Sequence, residues 1–456
     1  MFQCENSHRI LRFDLLSANY SERLEGSRKG KVGDGRQYAG GCRFVICLFS
    51  CDFAGLSLGL HKVREMEEAE ALRDKLILLL QDHAIGVAYL TPLPRGGRLR
   101  GTAAREMENA LDGLASASSD GVDASADQVY GNGCFAVGRY GDAARVFSRI
   151  LSDDPDDVVA RFNLGLSLLR LKQPALAVAE LTRVLEKHPD MPEAHYQRGN
   201  AHDDLDETDA ALEDFAVAIA LAPDYLQAHF NRGVVLARVG KHREAISSFD
   251  RAIELRPALS NAYLNRGASL DELDLHDQAI ADYSSAIECN PENADAYFNR
   301  ARTYYYLGHI EEAVADYTEV VSIRPEDAEA LNNRGLAYDA LEDYGRALED
   351  YTTAVGLVPD FPAALNNRGA ANEAMGNEER ALADYLAALT ADPRFAVAWY
   401  NTARQYARQG EIEQCLKHLD EAVRLESHFA EEAPDDENLG WVLKLMELKE
   451  DLSGRR

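Results

Sequence analysis

Residues 328–361 read AEALNNRGLAYDALEDYGRALEDYTTAVGLVPDF, and residues 362–395 repeat the pattern as PAALNNRGAANEAMGNEERALADYLAALTADPRF. Both close on a proline two residues before the end. That proline recurs every 34 residues: Pro155, Pro189, Pro223, Pro257, Pro291, Pro325, Pro359 and Pro393. A chain that holds one period over so many cycles stacks one supersecondary unit on copies of itself.

With the proline as position 32, nine units fill residues 124–429. Position 8 carries only Gly or Ala, from Gly131 through Gly335 and Gly369 to Ala403. Position 20 is Ala until Cys415 replaces it in the last unit. Position 24 is large: Phe147, Leu181, Phe215, Phe249, Tyr283, Tyr317, Tyr351, Tyr385 and Leu419. Helices cross closely only where a side chain is nearly absent, and a large residue must fill the space beside it. Position 15 holds Gly138, Gly240, Gly308, Gly376 and Gly410, with Lys172, Asp206, Asp274 and Glu342 between them. Glycine there ends a helix in the left-handed conformation. Proline at 32 cannot continue a helix interior. Each unit is thus predicted to be helix, short turn, helix, turn.

The small residues at 8, 20 and 27, the aromatic at 24 and the proline at 32 resemble the tetratricopeptide repeat. The resemblance covers residues 124–429. It implies an all-α, right-handed solenoid of about nine helix–turn–helix repeats that binds protein partners without catalysis. Position 4, where that family favours a bulky residue, departs in the first two units, which have Asp127 and Arg161. Residues 430–456 are expected to supply a capping helix, with Leu439, Val442, Leu445, Met446 and Leu452 on one stripe and Trp441 helping to cover the last repeat.

Nearly all of the formal net charge of −29 falls in residues 124–456. Such a surface disfavours nucleic acid, whose phosphates require cations. It suits a basic or neutral protein segment, or serves only solubility. Seven cysteines form no disulfide framework in a chain of this size, and Cys42, Cys47 and Cys51 match no zinc spacing. No phosphate-binding glycine loop, nucleophile elbow or metalloprotease motif occurs. The expectation is therefore no enzyme, no cofactor and no metal.

Before the repeats, residues 1–60 read as disordered, Gly- and Arg-rich and then apolar. Residues 44–60, FVICLFSCDFAGLSLGL, fall short of a bilayer span and contain Asp52. Residues 61–123 form a partly helical segment and linker. Val63, Met66, Leu72, Leu76, Leu79 and Leu80 share one helical side, and Met107, Ala110, Leu111 and Leu114 another. Met66 is an alternative start of the protein. The expected location is cytoplasmic, the alternative a membrane contact through residues 44–60.

Three rows carry the functional expectation. Position 6 is a carboxamide in eight successive units: Asn163, Gln197, Asn231, Asn265, Asn299, Asn333, Asn367 and Asn401. A carboxamide both donates and accepts, so it can hold any peptide backbone. The resemblance implies that this position lines the inner groove. The alternative is that the carboxamides bridge neighbouring helices. Phe162, Tyr196, Phe230, Phe298 and Tyr400 at position 5, with Tyr305 and Tyr306, either anchor ligand side chains or turn into the core. Arg198, Arg232, Arg266, Arg300, Arg334 and Arg368 at position 7 are expected to pair internally with Asp214, Asp282, Asp316, Asp350 and Asp384 at position 23. Charges at positions 12 and 13 change sign along the array, either pairing between repeats or facing a ligand. No repeat has Lys at position 5, which the family's clamp for chaperone C-terminal carboxylates requires. The reading is a scaffold that takes an extended protein segment, basic or neutral, in its concave groove. Self-assembly and an envelope-associated assembly factor anchored through residues 44–60 are the alternatives.

Overall fold

The computed structural model describes residues 71–81, 101–117 and 124–453. The expectations for residues 1–60, for Val63 and Met66, for Cys42, Cys47 and Cys51 and for residues 118–123 lie outside them. Every regular element among the described residues is a helix. The chain divides into two compact bodies, one ending at Leu255 and one beginning at Arg256. The first holds residues 71–81, Gly101–Ala117 and repeats 1 to 4; the second holds repeats 5 to 9 and the C-terminal helices.

Repeat 7 shows how the sequence makes a unit. Its first helix, Ala328–Ala340, starts where the Asp327 carboxylate accepts a hydrogen bond from the Ala330 amide at 3.0 Å. It ends at Glu342, whose φ of +59° opens the turn into the second helix, Tyr344–Leu357. The same left-handed residue occurs at position 15 in every repeat. Gly138, Gly240, Gly308, Gly376 and Gly410 adopt it without strain, whereas Lys172, Asp206, Asp274 and Glu342 adopt it with a Cβ. At Lys172 the closing bonds run from the Gln173 amide to the Leu168 carbonyl and from the Lys172 amide to Leu169, the usual helix-ending pair. The second helix stops just before the repeat's proline.

The pairing of positions 8 and 24 is a direct contact. A Cβ added to Gly335 would stand 2.6 Å from the Tyr351 ring, and one added to Gly233 would stand 2.6 Å from Phe249. The same relation links Gly199 to Phe215, Gly267 to Tyr283 and Gly369 to Tyr385. The rings at position 24 are buried and form the spine of each repeat.

Both ends of the array are covered. Leu76, Leu80, Met107 and Leu111 share the core cluster of Cys134 and Phe135 in repeat 1. The helices at 71–81 and Gly101–Ala117 therefore close that face. At the other end, Phe429, Ala433, Leu439 and Val442 bury themselves with Ala403, Cys415 and Leu419 of repeat 9. The Phe429 ring stacks on Tyr400 at 4.6 Å. The last helix is Gly440–Ser453, and Trp441 on it is 42% exposed, so Trp441 is not among the residues that seal the end.

Candidate functional site

The position-7 arginines clamp the second helix of their own repeat. In repeat 7, Arg334 Nε and Nη2 donate to the Asp350 Oδ2 and Oδ1 at 2.7 Å each. The same two-pronged bond joins Arg198 to Asp214, Arg266 to Asp282, Arg300 to Asp316 and Arg368 to Asp384. Arg232 faces Ser248, where the acid is missing, and donates a single bond of 2.9 Å. The remaining nitrogen reaches back one repeat: Arg198 to Thr182 at 3.1 Å and Arg300 to Ser284 at 2.8 Å. The aspartates are buried and the arginines only partly exposed. These guanidinium groups are held in place by the fold and are not free to meet an anion.

The carboxamide row divides. Asn163 donates to Asn132 at 3.0 Å, and Asn231 donates to Asn200 and to the Tyr196 hydroxyl. Asn367 donates to Asn332 at 3.0 Å and Asn401 to Asn366 at 2.9 Å. In each case the acceptor belongs to the preceding repeat, so these four bridge neighbouring units. Gln197 is buried and accepts from Asn200. Asn265, Asn299 and Asn333 differ. All three are half-buried on the first helices of repeats 5 to 7. Asn265 donates only to the Asn261 carbonyl of its own helix, and Asn333 accepts from its neighbour Asn332. The Asn299 carboxamide makes no hydrogen bond among the described residues. Three consecutive repeats thus keep donor or acceptor capacity at position 6.

The aromatic row is corrected by burial. Phe162, Tyr196, Phe230 and Tyr400 are core residues, and Phe298 packs against the Ala301, Ala313 and Tyr317 cluster. Position 5 packs on the ring of position 24 in the Tyr196–Phe215, Phe230–Phe249 and Phe298–Tyr317 contacts, and Tyr400 stacks on Phe429. The exposed tyrosines lie farther along the first helix of repeat 6: Tyr306 is 72% exposed and Tyr305 is 36% exposed.

Position 12 carries a set of acids that form one hydrogen-bonded layer with the spine tyrosines. The Tyr283, Tyr351 and Tyr385 hydroxyls donate to Asp271, Asp339 and Glu373 at 2.8, 2.7 and 2.9 Å. Burial raises the Asp339 carboxyl to about 6, and the Tyr351 bond only partly offsets this. Among the described residues no group of His, Cys, Asp and Glu is placed to hold a metal, and no helix is long and apolar enough to cross a membrane.

Tetratricopeptide-repeat profiles match residues 135–192, 167–225, 196–260, 298–360 and 333–394, with related profiles at 276–308 and 384–417. Together they cover more than half of the chain. No curated protein matches it significantly. Among solved structures, MamA is 27% identical over 36% of this chain and 96% of its own, with a TM-score of 0.35. YrrB, a TPR protein with an unusual peptide-binding site, is 23% identical over 41% and 95%, with a TM-score of 0.37. The Cut9–Hcn1 heterotetramer of the APC/C is 16% identical over 75% and 82%, with a TM-score of 0.42.

Proposed function

Because this chain belongs to the tetratricopeptide-repeat family, we propose that it is a non-catalytic scaffold that holds an extended segment of a partner protein against the first helices of repeats 5 to 7. The observation that carries this reading is the row of Asn265, Asn299 and Asn333, whose carboxamides make no bond to another repeat among the described residues. Four of the other five position-6 residues are tied to the preceding repeat and the fifth, Gln197, is buried, so they contribute to the array and not to a ligand. Repetition places these three amides once per repeat on successive first helices, which suits the repeating amides of an extended chain. The acidic surface favours a basic segment and predicts that binding weakens as salt rises.

The test is a crosslinking capture with the full chain, followed by affinity measurement for the partner recovered. Each carboxamide–backbone bond contributes roughly 0.5–1.5 kcal/mol, so changing Asn265, Asn299 and Asn333 together to Ala should weaken binding by about 100-fold. Helix content should stay unchanged, because none of the three bridges repeats. Asn367→Ala serves as the opposite control: it breaks a bridge and should lower stability. A triple variant that stays folded and binds normally sinks the reading. Loss of a concentration-dependent oligomer in the triple variant would instead point to self-assembly.

A further inference from the structure

Two of the four position-12 acids, Asp203 and Glu373, meet a cation from the repeat that follows. In the first body, Arg238 of repeat 4 pairs with Asp203 of repeat 3. In the second body, Arg404 and Arg408 of repeat 9 reach Glu373 of repeat 8 at 3.4 and 3.1 Å. Asp271 of repeat 5 receives His276, Tyr283 and Thr303, and the charge of Arg302 in repeat 6 acts on that Tyr283. Asp339 of repeat 7 has neither such a cation nor a second donor. Its Oδ2 accepts from Tyr351, but its Oδ1 is withdrawn from water and has no hydrogen-bond partner.

The cause is legible in the register. Repeat 9 places Arg404 and Arg408 at positions 9 and 13. Repeat 8 has Ala370 and Ala374 there, both exposed. Of the two cations of the same repeat, Arg334 is held by Asp350, and Arg346 lies over the Tyr338 ring at 4.4 Å and pairs with Asp343 at 2.5 Å, so neither serves Asp339. On the side of repeat 6, position 12 is Tyr305, which acts electrostatically on Tyr351. The result is one carboxylate with two small neighbours where its counter-ion would stand and tyrosines on its other side.

We propose that this socket receives an arginine or lysine side chain of the partner segment, seated where repeats 4 and 9 seat an arginine of their own. The inference rests on the reading of the repeat 5–7 face as the segment's binding site. One carboxylate with tyrosines and alanines is no ligand set for a divalent ion, which requires several oxygens in a fixed geometry. It does match a basic side chain, with the carboxylate for charge and the partly exposed Tyr305 ring for the cation's apolar stem. A carboxyl drawn up to about 6 is still mostly ionised at neutral pH, and an arriving cation would remove the penalty of its burial.

The experiment titrates the full chain with a fluorescein-labelled hexa-arginine peptide and with its hexa-citrulline counterpart, which has the same shape without the charge. Asp339→Asn removes the carboxylate, and Ala374→Arg fills the socket from within as Arg408 does at Glu373. Exposed Glu319→Gln makes the same one-unit change in net charge elsewhere. Loss of one charge-assisted bond should weaken hexa-arginine binding about 10-fold in Asp339→Asn and in Ala374→Arg, with Glu319→Gln within about 2-fold of the parent. The proposal is overturned if Asp339→Asn behaves like Glu319→Gln, or if hexa-arginine binds no better than hexa-citrulline. Should Ala374→Arg not fold, Asp339→Asn alone decides. The Asn265, Asn299 and Asn333 triple variant separates the two readings. If it keeps hexa-arginine binding that Asp339→Asn loses, the socket stands and the carboxamide reading falls; the reverse outcome removes the socket alone.

Discussion

Replacing Arg334 by Ala tests what the arginine row does. The Asp350 side chain is 8% exposed and takes two bonds of 2.7 Å from Arg334. After the substitution, that carboxylate stays in place with neither bond. Removing one member of a buried ion pair costs about 3–5 kcal/mol, because the survivor is left charged and desolvated. Arg334 itself is 16% exposed, so water can enter part of the space it leaves. That lowers the expected loss to about 2–4 kcal/mol. The third contact, to Thr318 at 3.4 Å, is too long to add much.

Arg232 provides the internal standard. It makes one neutral bond to Ser248, so Arg232→Ala should cost only about 0.5–1.5 kcal/mol. Urea unfolding followed by circular dichroism gives the comparison. Stability in a stacked array is a sum of local and nearest-neighbour terms, so native-state hydrogen exchange over Tyr344–Leu357 should register the loss in repeat 7 first. Arg334→Met with Asp350→Leu should recover most of it, since an apolar pair needs no desolvation. If Arg334→Ala loses no more than Arg232→Ala, the row is not a structural clamp, and its arginines become ligand-contact candidates.

Two further outcomes are expected. Gly335→Ala would press a methyl to 2.6 Å from a Tyr351 ring that is buried and tied to Asp339, and should lower stability by about 1–3 kcal/mol in a thermal melt; Gly345→Ala, whose nearest neighbour is 3.7 Å away, should instead raise it by about 0.5–1 kcal/mol through helix propensity. The Asp339 carboxyl is raised to about 6 from 3.8, so the folded chain holds this proton more tightly than the unfolded chain, and this group's contribution to stability should fall as pH rises through that window; Asp339→Asn should therefore be about 1–2 kcal/mol more stable than the parent at pH 7, allowing for partial solvent screening, with the difference shrinking at pH 4, as urea titrations of both at the two pH values would show.

The helical pairs were readable because two signals share one period. Gly335 and Tyr351 recur together in repeat after repeat, and only a close helix crossing needs both. The arginine clamps were readable as a row, since position 7 and position 23 keep one offset; that Arg334 takes Asp350 of its own repeat and not Asp316 needed the geometry of the turn. The carboxamide row was harder. Residue type at position 6 does not reveal whether the amide is already bonded. A signal existed in the doublets Asn332–Asn333 and Asn366–Asn367: an Asn at position 5 gives the next repeat's position 6 an acceptor, as Asn367 and Asn401 find. The position-5 aromatics were ambiguous because a ring serves core and ligand equally well. Likewise the stripe Leu76–Leu80 announces a helix but not that it covers repeat 1.

Asp339 belongs to a different class of feature, one found by reading where the period lapses. The fold has a ready way to neutralise an acid at position 12, and repeat 9 uses it twice on Glu373. Repeat 8 offers alanine at both places beside Asp339. An uncompensated carboxylate lowers stability, and a single change at Ala374 or at Asp339 itself would relieve it. Packing cannot be the reason for keeping it, because Asn is the same size and can still accept from Tyr351. A group that weakens the folded state and could be so simply repaired is best understood through what it does when a counter-charge arrives from outside. On that view Asp339→Asn should separate stability from binding: a more stable protein that holds a basic segment less tightly. A variant that gains stability and keeps full affinity for hexa-arginine would leave Asp339 as an unneutralised acid with no role in recognition.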